Sequence, residues 1–185
     1  MKKTSLVLIC AIAIIAVIMI SGYNGIVSKQ ENVESALSDL DVMLQRRADL
    51  IPNLVSTVKG YASHETEIIN KVTEARAKLV NASNIEEKSN ANDELTSSLS
   101  ALMVVVENYP DLKSSQNFIQ LSDELAGTEN RIAVARKDYN NAVKTLNTTI
   151  KKFPNNLLAG MFGFEQAIYF EADESSAEVP NVSFE

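Results

Sequence analysis

His64 and Glu65 are the first residues in this chain whose types and spacing suggest chemistry. A His followed by a Glu opens the H-E-x-x-H pattern, in which two imidazoles one helical turn apart hold zinc and the Glu serves as a base. The second His is missing, and His64 is the only His in the 185 residues, so no metal site can be built from imidazoles. The Glu-x-x-His pairs that bridge two metals in helical bundles are absent for the same reason. The one Cys, Cys10, lies in an apolar stretch, so neither an intramolecular disulfide nor a Cys-built zinc site can form, and Cys usage gives no redox compartment. There is no glycine-rich phosphate loop, nucleophile elbow or Cys–His pair. Acid pairs stay open, because pairing in space is invisible in sequence. The expectation is no catalytic residue, no metal and no cofactor. Glu107, Glu124, Glu129, Arg131 and Arg136 read as charge pairs on helix surfaces.

What positions these charges is a helical framework. Residues 115–153 contain no Pro and only one Gly, Gly127. Counting in sevens gives Phe118, Leu125, Ile132, Tyr139, Leu146 and Phe153 at one seam position and Leu121, Thr128, Ala135, Ala142 and Thr149 at the other. A bulky apolar residue every seven with smaller ones between predicts one helix laying a narrow stripe into a bundle or coiled coil. At about 1.5 Å per residue it would be roughly 58 Å long.

A second run of sevens starts at Ile26 and continues through Val33, Leu40, Arg47, Leu54, Tyr61, Ile68, Ala75 and Ala82, with Gln30, Leu37, Leu44, Ile51, Val58, Glu65, Val72 and Leu79 in the other seam. The phase survives Pro52 and Gly60, which predicts a bent helical path, kinked where Pro52 removes the bond to the Ala48 carbonyl. Gly60 offers a second weak point, with Ser63 as a cap for a fresh start. A break there makes four long helices; its absence makes three. Arg47 is the odd member of the seam. Either the kink turns it outward, or it is a buried ion pair with Glu107 or Glu129 that fixes the register between helices.

Asn84, with Glu87 three residues on, is set to cap the next helix, which carries Ala91, Leu95, Leu99, Leu102 and Val106 on one stripe. Leu102-Met-Val-Val-Val106 is apolar on all sides, so this end is expected to be enclosed. Tyr109-Pro110 stops it, and Ser114 or Ser115 can cap the long helix. Beyond Phe153-Pro154, the aromatic cluster Phe162, Phe164, Tyr169 and Phe170, with Ile168, is expected to fold back on the bundle; docking of a partner and contact with lipid are the alternatives. The stretch from Glu171 on is acidic and rich in small residues, and reads as extended or disordered.

The N-terminus carries Lys2 and Lys3, an apolar run from Leu6 to Ile20, and no further charge until Lys29. As a helix, residues 5–23 would measure roughly 28 Å, about the thickness of a bilayer's hydrocarbon core, with Tyr23 at an interface. A cleaved signal peptide is the competing reading, but no Ala-x-Ala follows and a lipoprotein's lipid-attachment Cys is missing, so a retained anchor is preferred. Lys2, Lys3 and the free amino group before the span, against Lys29 alone after it, place the N-terminus inside and the body outside the cytoplasm. Net charge is −7, with six acidic and no basic residues after 152, which argues against nucleic acid as a partner. The chain thus divides into an anchor at 1–25, an all-α, up-and-down bundle of three to four long helices at 26–160, and an aromatic then acidic tail at 161–185.

Several landmarks together resemble the LemA family of membrane-anchored helical proteins. They are Tyr23-Asn24, Arg46-Arg-Ala-Asp-Leu-Ile-Pro-Asn-Leu54, Val58-Lys-Gly-Tyr-Ala62 with His64-Glu65, Ala75-Arg76, Glu107-Asn-Tyr-Pro-Asp-Leu112, Glu124-Leu-Ala-Gly-Thr-Glu-Asn-Arg-Ile132, Ala135-Arg136 with Tyr139-Asn140, Phe153-Pro154 and Gly163-Phe164. The resemblance implies an up-and-down bundle of long helices behind one transmembrane helix, and a function that is itself unsettled. Descriptions of that family have placed the short N-terminus outside, opposite to the charge count. The reading that follows is a membrane-tethered scaffold or adaptor contacting other envelope proteins. The alternatives are a receptor or hydrolase using a bundle groove, and a homo-oligomer built through the long seams.

Overall fold

The structure, a computed structural model, describes residues 2–171, so all of the acidic tail but Glu171 lies outside it. Among the described residues there is no strand, and six helices form an all-α bundle: α1 (Lys2–Tyr61), α2 (Thr66–Asn81), α3 (Ile85–Val106), α4 (Pro110–Lys113), α5 (Gln116–Lys151) and α6 (Asn155–Phe162). Four are long, as a break after Gly60 requires. Two compact units can be told apart, and α1 and α5 each contribute to both.

The unit built on Asp39–Arg136 uses the second half of α1, the first half of α5 and everything between. Leu40, Leu44, Ile51, Leu54 and Val58 are buried along α1, and Phe118, Leu125 and Ile132 along α5, so both stripes face inward here. α1 continues as helix through Pro52. The Ala48 carbonyl that Pro52 cannot bond is taken instead by Arg76 Nε of α2, at 2.8 Å. A side chain from a neighbouring helix thus restores the missing bond.

The helix stops at Tyr61, and Ala62 to Glu65 turn the chain back, which is how Arg76 comes to lie beside Ala48. The seven-residue phase across this point therefore does not mark one bent path: α2 buries Ile69, Val72, Ala75 and Leu79. Ser63 does not cap it either, because the helix starts after Glu65 without a side-chain cap. α3 begins as its sequence predicts. Asn84 Oδ1 accepts from the Glu87 N–H at 2.9 Å, and the Glu87 carboxylate reaches back to the Ser83 N–H and hydroxyl. At its far end Leu102 and Val106 are buried, but Val104 is 70% exposed, so the apolar run is not enclosed on all sides. Pro110 opens the single turn α4, which buries Leu112.

The other unit takes the chain up to Ser38 together with Lys137–Tyr169. The apolar stretch of α1 leaves its side chains open, and this is the one described helix long and apolar enough to cross a membrane. In α5 the buried set is Tyr139, Val143, Leu146, Asn147 and Ile150. The bulky seam keeps its sevens at Tyr139 and Leu146, but the second seam has moved on by one residue, from Ala142 and Thr149 to Val143 and Ile150, the drift of a straight helix with 3.6 residues per turn. Phe153, next in the count of sevens, is 79% exposed, since α5 has ended at Lys151. α6 closes on Gly163, whose φ of +73° lies in the left-handed region, and the Phe164 N–H bonds back to the Ala159 carbonyl. The following segment has no regular secondary structure and is tied to α5. The Asn147 amide donates to and accepts from Ala167 backbone, both at 2.9 Å, and the Tyr139 hydroxyl donates to the Ile168 carbonyl at 2.7 Å.

Candidate functional site

Arg47 is 3% exposed and stands in the stripe of α1 among apolar neighbours. Its Nη1 donates to Asn92 Oδ1 at 2.7 Å and to Thr96 Oγ1 at 3.0 Å, both on α3. That uses both N–H groups of this nitrogen. Glu129 Oε2 of α5 is 2.8 Å from the same atom but off its N–H directions, so the pair is held by charge rather than by a hydrogen bond. Arg47 Nε has no hydrogen-bond partner. Burial pushes the guanidinium below its ordinary pKa, and the carboxylates of Glu129 and Asp93 oppose that shift. The cluster joins three helices through one cation.

Of the two carboxylates the sequence offered to Arg47, the structure brings Glu129. Glu107 is elsewhere: it pairs with Lys113, at 2.5 Å. Arg47 does not turn outward, because the helix passes Pro52 without a break. The partners missing from the sequence reading were Asn92 and Thr96. Asn92 is one residue from Ala91 and three from Leu95, on the buried stripe of α3, and a polar side chain on an apolar stripe is the signal that could have found it.

Other pairs surround this cluster. Arg46 Nη2 donates to Glu124 Oε2 at 3.1 Å, with both side chains about half exposed. Lys88 Nζ meets both oxygens of Asp41 at 2.7 Å. The Tyr109 hydroxyl donates to Glu65 Oε1 at 2.8 Å, and this bond, with the carboxylate's charge, holds the phenol above its usual pKa. The stretches that carried the family resemblance thus meet in space. Arg46 and Arg47 face Glu124 and Glu129, Arg76 reaches Ala48, and Tyr109 reaches Glu65. His64 is exposed in the turn before α2. Among the described residues no three His, Cys, Asp or Glu side chains are placed to share a metal ion.

Beside these pairs α1 and α5 leave an open polar groove of about 780 Å³. Asn53, Ser56 and Thr57 form one wall, and Gln120, Asp123 and Arg131 lie along the other. Gly127 lies between those two charges, and a Cβ there would meet nothing within 4 Å. Neither Asp123 nor Arg131 has a side-chain ion pair or hydrogen bond among the described residues. Eight residues apart on one helix, the two charges are separated by roughly 12 Å along its axis.

The aromatic residues proposed as a docking surface divide. Phe170 is 1% exposed and belongs to the core of the unit built on Asp39–Arg136, next to Glu171, whose carbonyl accepts from Ser89 Oγ. It is excluded as a docking residue. Phe162 and Tyr169 are exposed and Phe164 is half-buried. Tyr23 meets Phe162 edge-on with ring centroids 5.0 Å apart, and Phe164 at 5.5 Å.

A family model described as LemA family matches residues 36–184. Among similar proteins is Magnetosome protein MamQ 2 of Paramagnetospirillum magneticum, 28% identical over 207 aligned residues that cover 97% of this chain and 76% of that protein. Magnetosome protein MamQ of Magnetospirillum gryphiswaldense is 26% identical, covering 87% of this chain and 68% of its own. Protein LemA of Metamycoplasma hominis is 28% identical, covering 90% and 76%. With four long helices, an apolar helical start and a family match over most of its length, this chain belongs to the LemA family.

Proposed function

We propose that this chain is a membrane-tethered scaffold, anchored through residues 5–23, that binds other proteins of the cell envelope through the α1–α5 groove and carries out no reaction of its own. The observation that supports this is the pair of unpartnered charges, Asp123 and Arg131, set in a groove walled by amides and hydroxyls. Such a groove suits an extended polar segment presenting a basic residue to Asp123 and an acidic one roughly 12 Å away to Arg131. No loop intervenes between the apolar segment and the groove wall, because α1 is helical from Lys2 to Tyr61. The relatives' names include a magnetosome protein in two bacteria. The lysine count supports an orientation with the groove outside the cytoplasm. Protease added outside spheroplasts should then cut the chain within residues 39–136; protection of that region would reverse the orientation.

A photo-crosslinking residue at Ser56 or Gln120 in the full chain, in cells, should give a recurrent adduct with another membrane protein. Exchanging the charges, Asp123→Arg with Arg131→Asp, should abolish it. Adducts between copies of this chain alone would favour the homo-oligomer, and turnover of a small molecule by the purified protein would overturn the scaffold.

A further inference from the structure

Gly22 and Tyr23 end the apolar segment of α1, and both touch α6. Leu158 Cδ1 lies 2.5 Å from where a Cβ on Gly22 would be, so the Leu158 side chain of α6 rests directly over the Gly22 backbone of α1. One residue on, the Tyr23 ring contacts Phe162 and Phe164. α6 is therefore packed on the last turn of the segment that is long enough to cross a bilayer, at the level of its interfacial tyrosine. It buries Leu158 and Ala159, yet Leu157, Met161 and Phe162 are each more than half exposed, as is Phe153 just before it. A short helix with apolar side chains both inside and out is unexpected in water and suits a boundary with lipid. Lys151 and Lys152 lie exposed immediately upstream, as cations do beside anionic headgroups.

We propose that α6 is an interfacial helix, with Phe153, Leu157, Met161 and Phe162 immersed at the headgroup–acyl boundary beside Tyr23. The surface continues the face that the anchor already presents to lipid, and the inference rests on residues 5–23 being that anchor.

The chain has no Trp, so single substitutions give unambiguous fluorescent reporters. Leu157→Trp and Met161→Trp in the full chain, reconstituted in phosphatidylcholine–phosphatidylglycerol vesicles, should emit to the blue. Lipids brominated near the glycerol backbone should quench them at least twofold, and aqueous acrylamide only weakly. Val134→Trp, at an exposed apolar residue outside this cluster, supplies the water-facing reference, and Ile14→Trp reports the anchor. If Leu157→Trp and Met161→Trp match Val134→Trp while Ile14→Trp stays shielded, α6 is in water and the anchor stands. If Ile14→Trp is itself open to acrylamide, both readings fall.

Discussion

Pro52 and Arg76 form a pair whose logic can be measured. The proline leaves the Ala48 carbonyl without its helical donor, and Arg76 Nε supplies one. Arg76→Met should therefore cost about 1 to 3 kcal/mol, the penalty of a stranded acceptor. In a Pro52→Ala background the new N–H bonds Ala48, and the same Arg76 substitution should cost clearly less. Equal costs in the two backgrounds, by urea unfolding, would show that the guanidinium is not the replacement donor. Arg47 makes a different case. Its loss strands the buried Asn92 Oδ1, whereas half-buried Thr96 keeps its bond to the Asn92 carbonyl and Glu129, 43% exposed at its side chain, can turn to water. Arg47→Ala should cost about 3 kcal/mol and Glu129→Gln less than about 1 kcal/mol; the reverse order would place the stabilisation in the ion pair. That Arg47 would be buried against Glu129 was open in the sequence. What was hidden was the share carried by uncharged partners on α3, because a heptad count ranks positions by burial and does not say which polar groups will face each other.

Helices carry their own tests. Gly127 lies inside α5 with open space where a Cβ would go, so Gly127→Ala should raise stability by up to about 1 kcal/mol through helix propensity. If the groove takes a protein segment, the same change should weaken the crosslinks there. At the start of α3 the Glu87 carboxylate is held below its usual pKa, first by the Ser83 N–H and then by the Ser83 hydroxyl and Asn84. A carboxylate so shifted stabilises the folded state above the unfolded group's pKa and loses that effect as pH falls through the lowered value. The stability gap between the protein and its Glu87→Gln variant should thus be constant near neutrality and close in acid; a gap that persisted would mean the bond does not depend on charge. The pairing of Asn84 with Glu87 was legible because both are local, but that the carboxylate would reach Ser83 and not the Asn84 N–H was not. The turn after Tyr61 was not, because the apolar phase happens to continue across it and only the contact between Arg76 and Ala48 shows that the chain reverses.

For the molecule as a whole, composition and period were enough for the all-α class, the long helices and the apolar span, since each depends on a repeated signal. The groove and the setting of α6 depend on pairs of helices distant in sequence, so neither could be read. With Cys10 as the lone thiol and no metal cluster among the described residues, a chelator or reductant should leave the thermal melt of the detergent-solubilised protein unchanged within about 1 °C; a larger drop on chelation would reveal a metal.

The bonds from Asn147 and Tyr139 to the segment after α6 bear on how the protein is made. Synthesis reaches α5 before residues 167 and 168, so the helix is complete before the backbone that Asn147 and Tyr139 bond has been made. A chain cut before residue 167 leaves the buried Asn147 amide without the backbone it pairs with, at about 1 to 3 kcal/mol. Synthesis past residue 168 is thereby written into the stability of the product, and a proteolytic quality-control system could recognise a copy cut before it by its looseness alone.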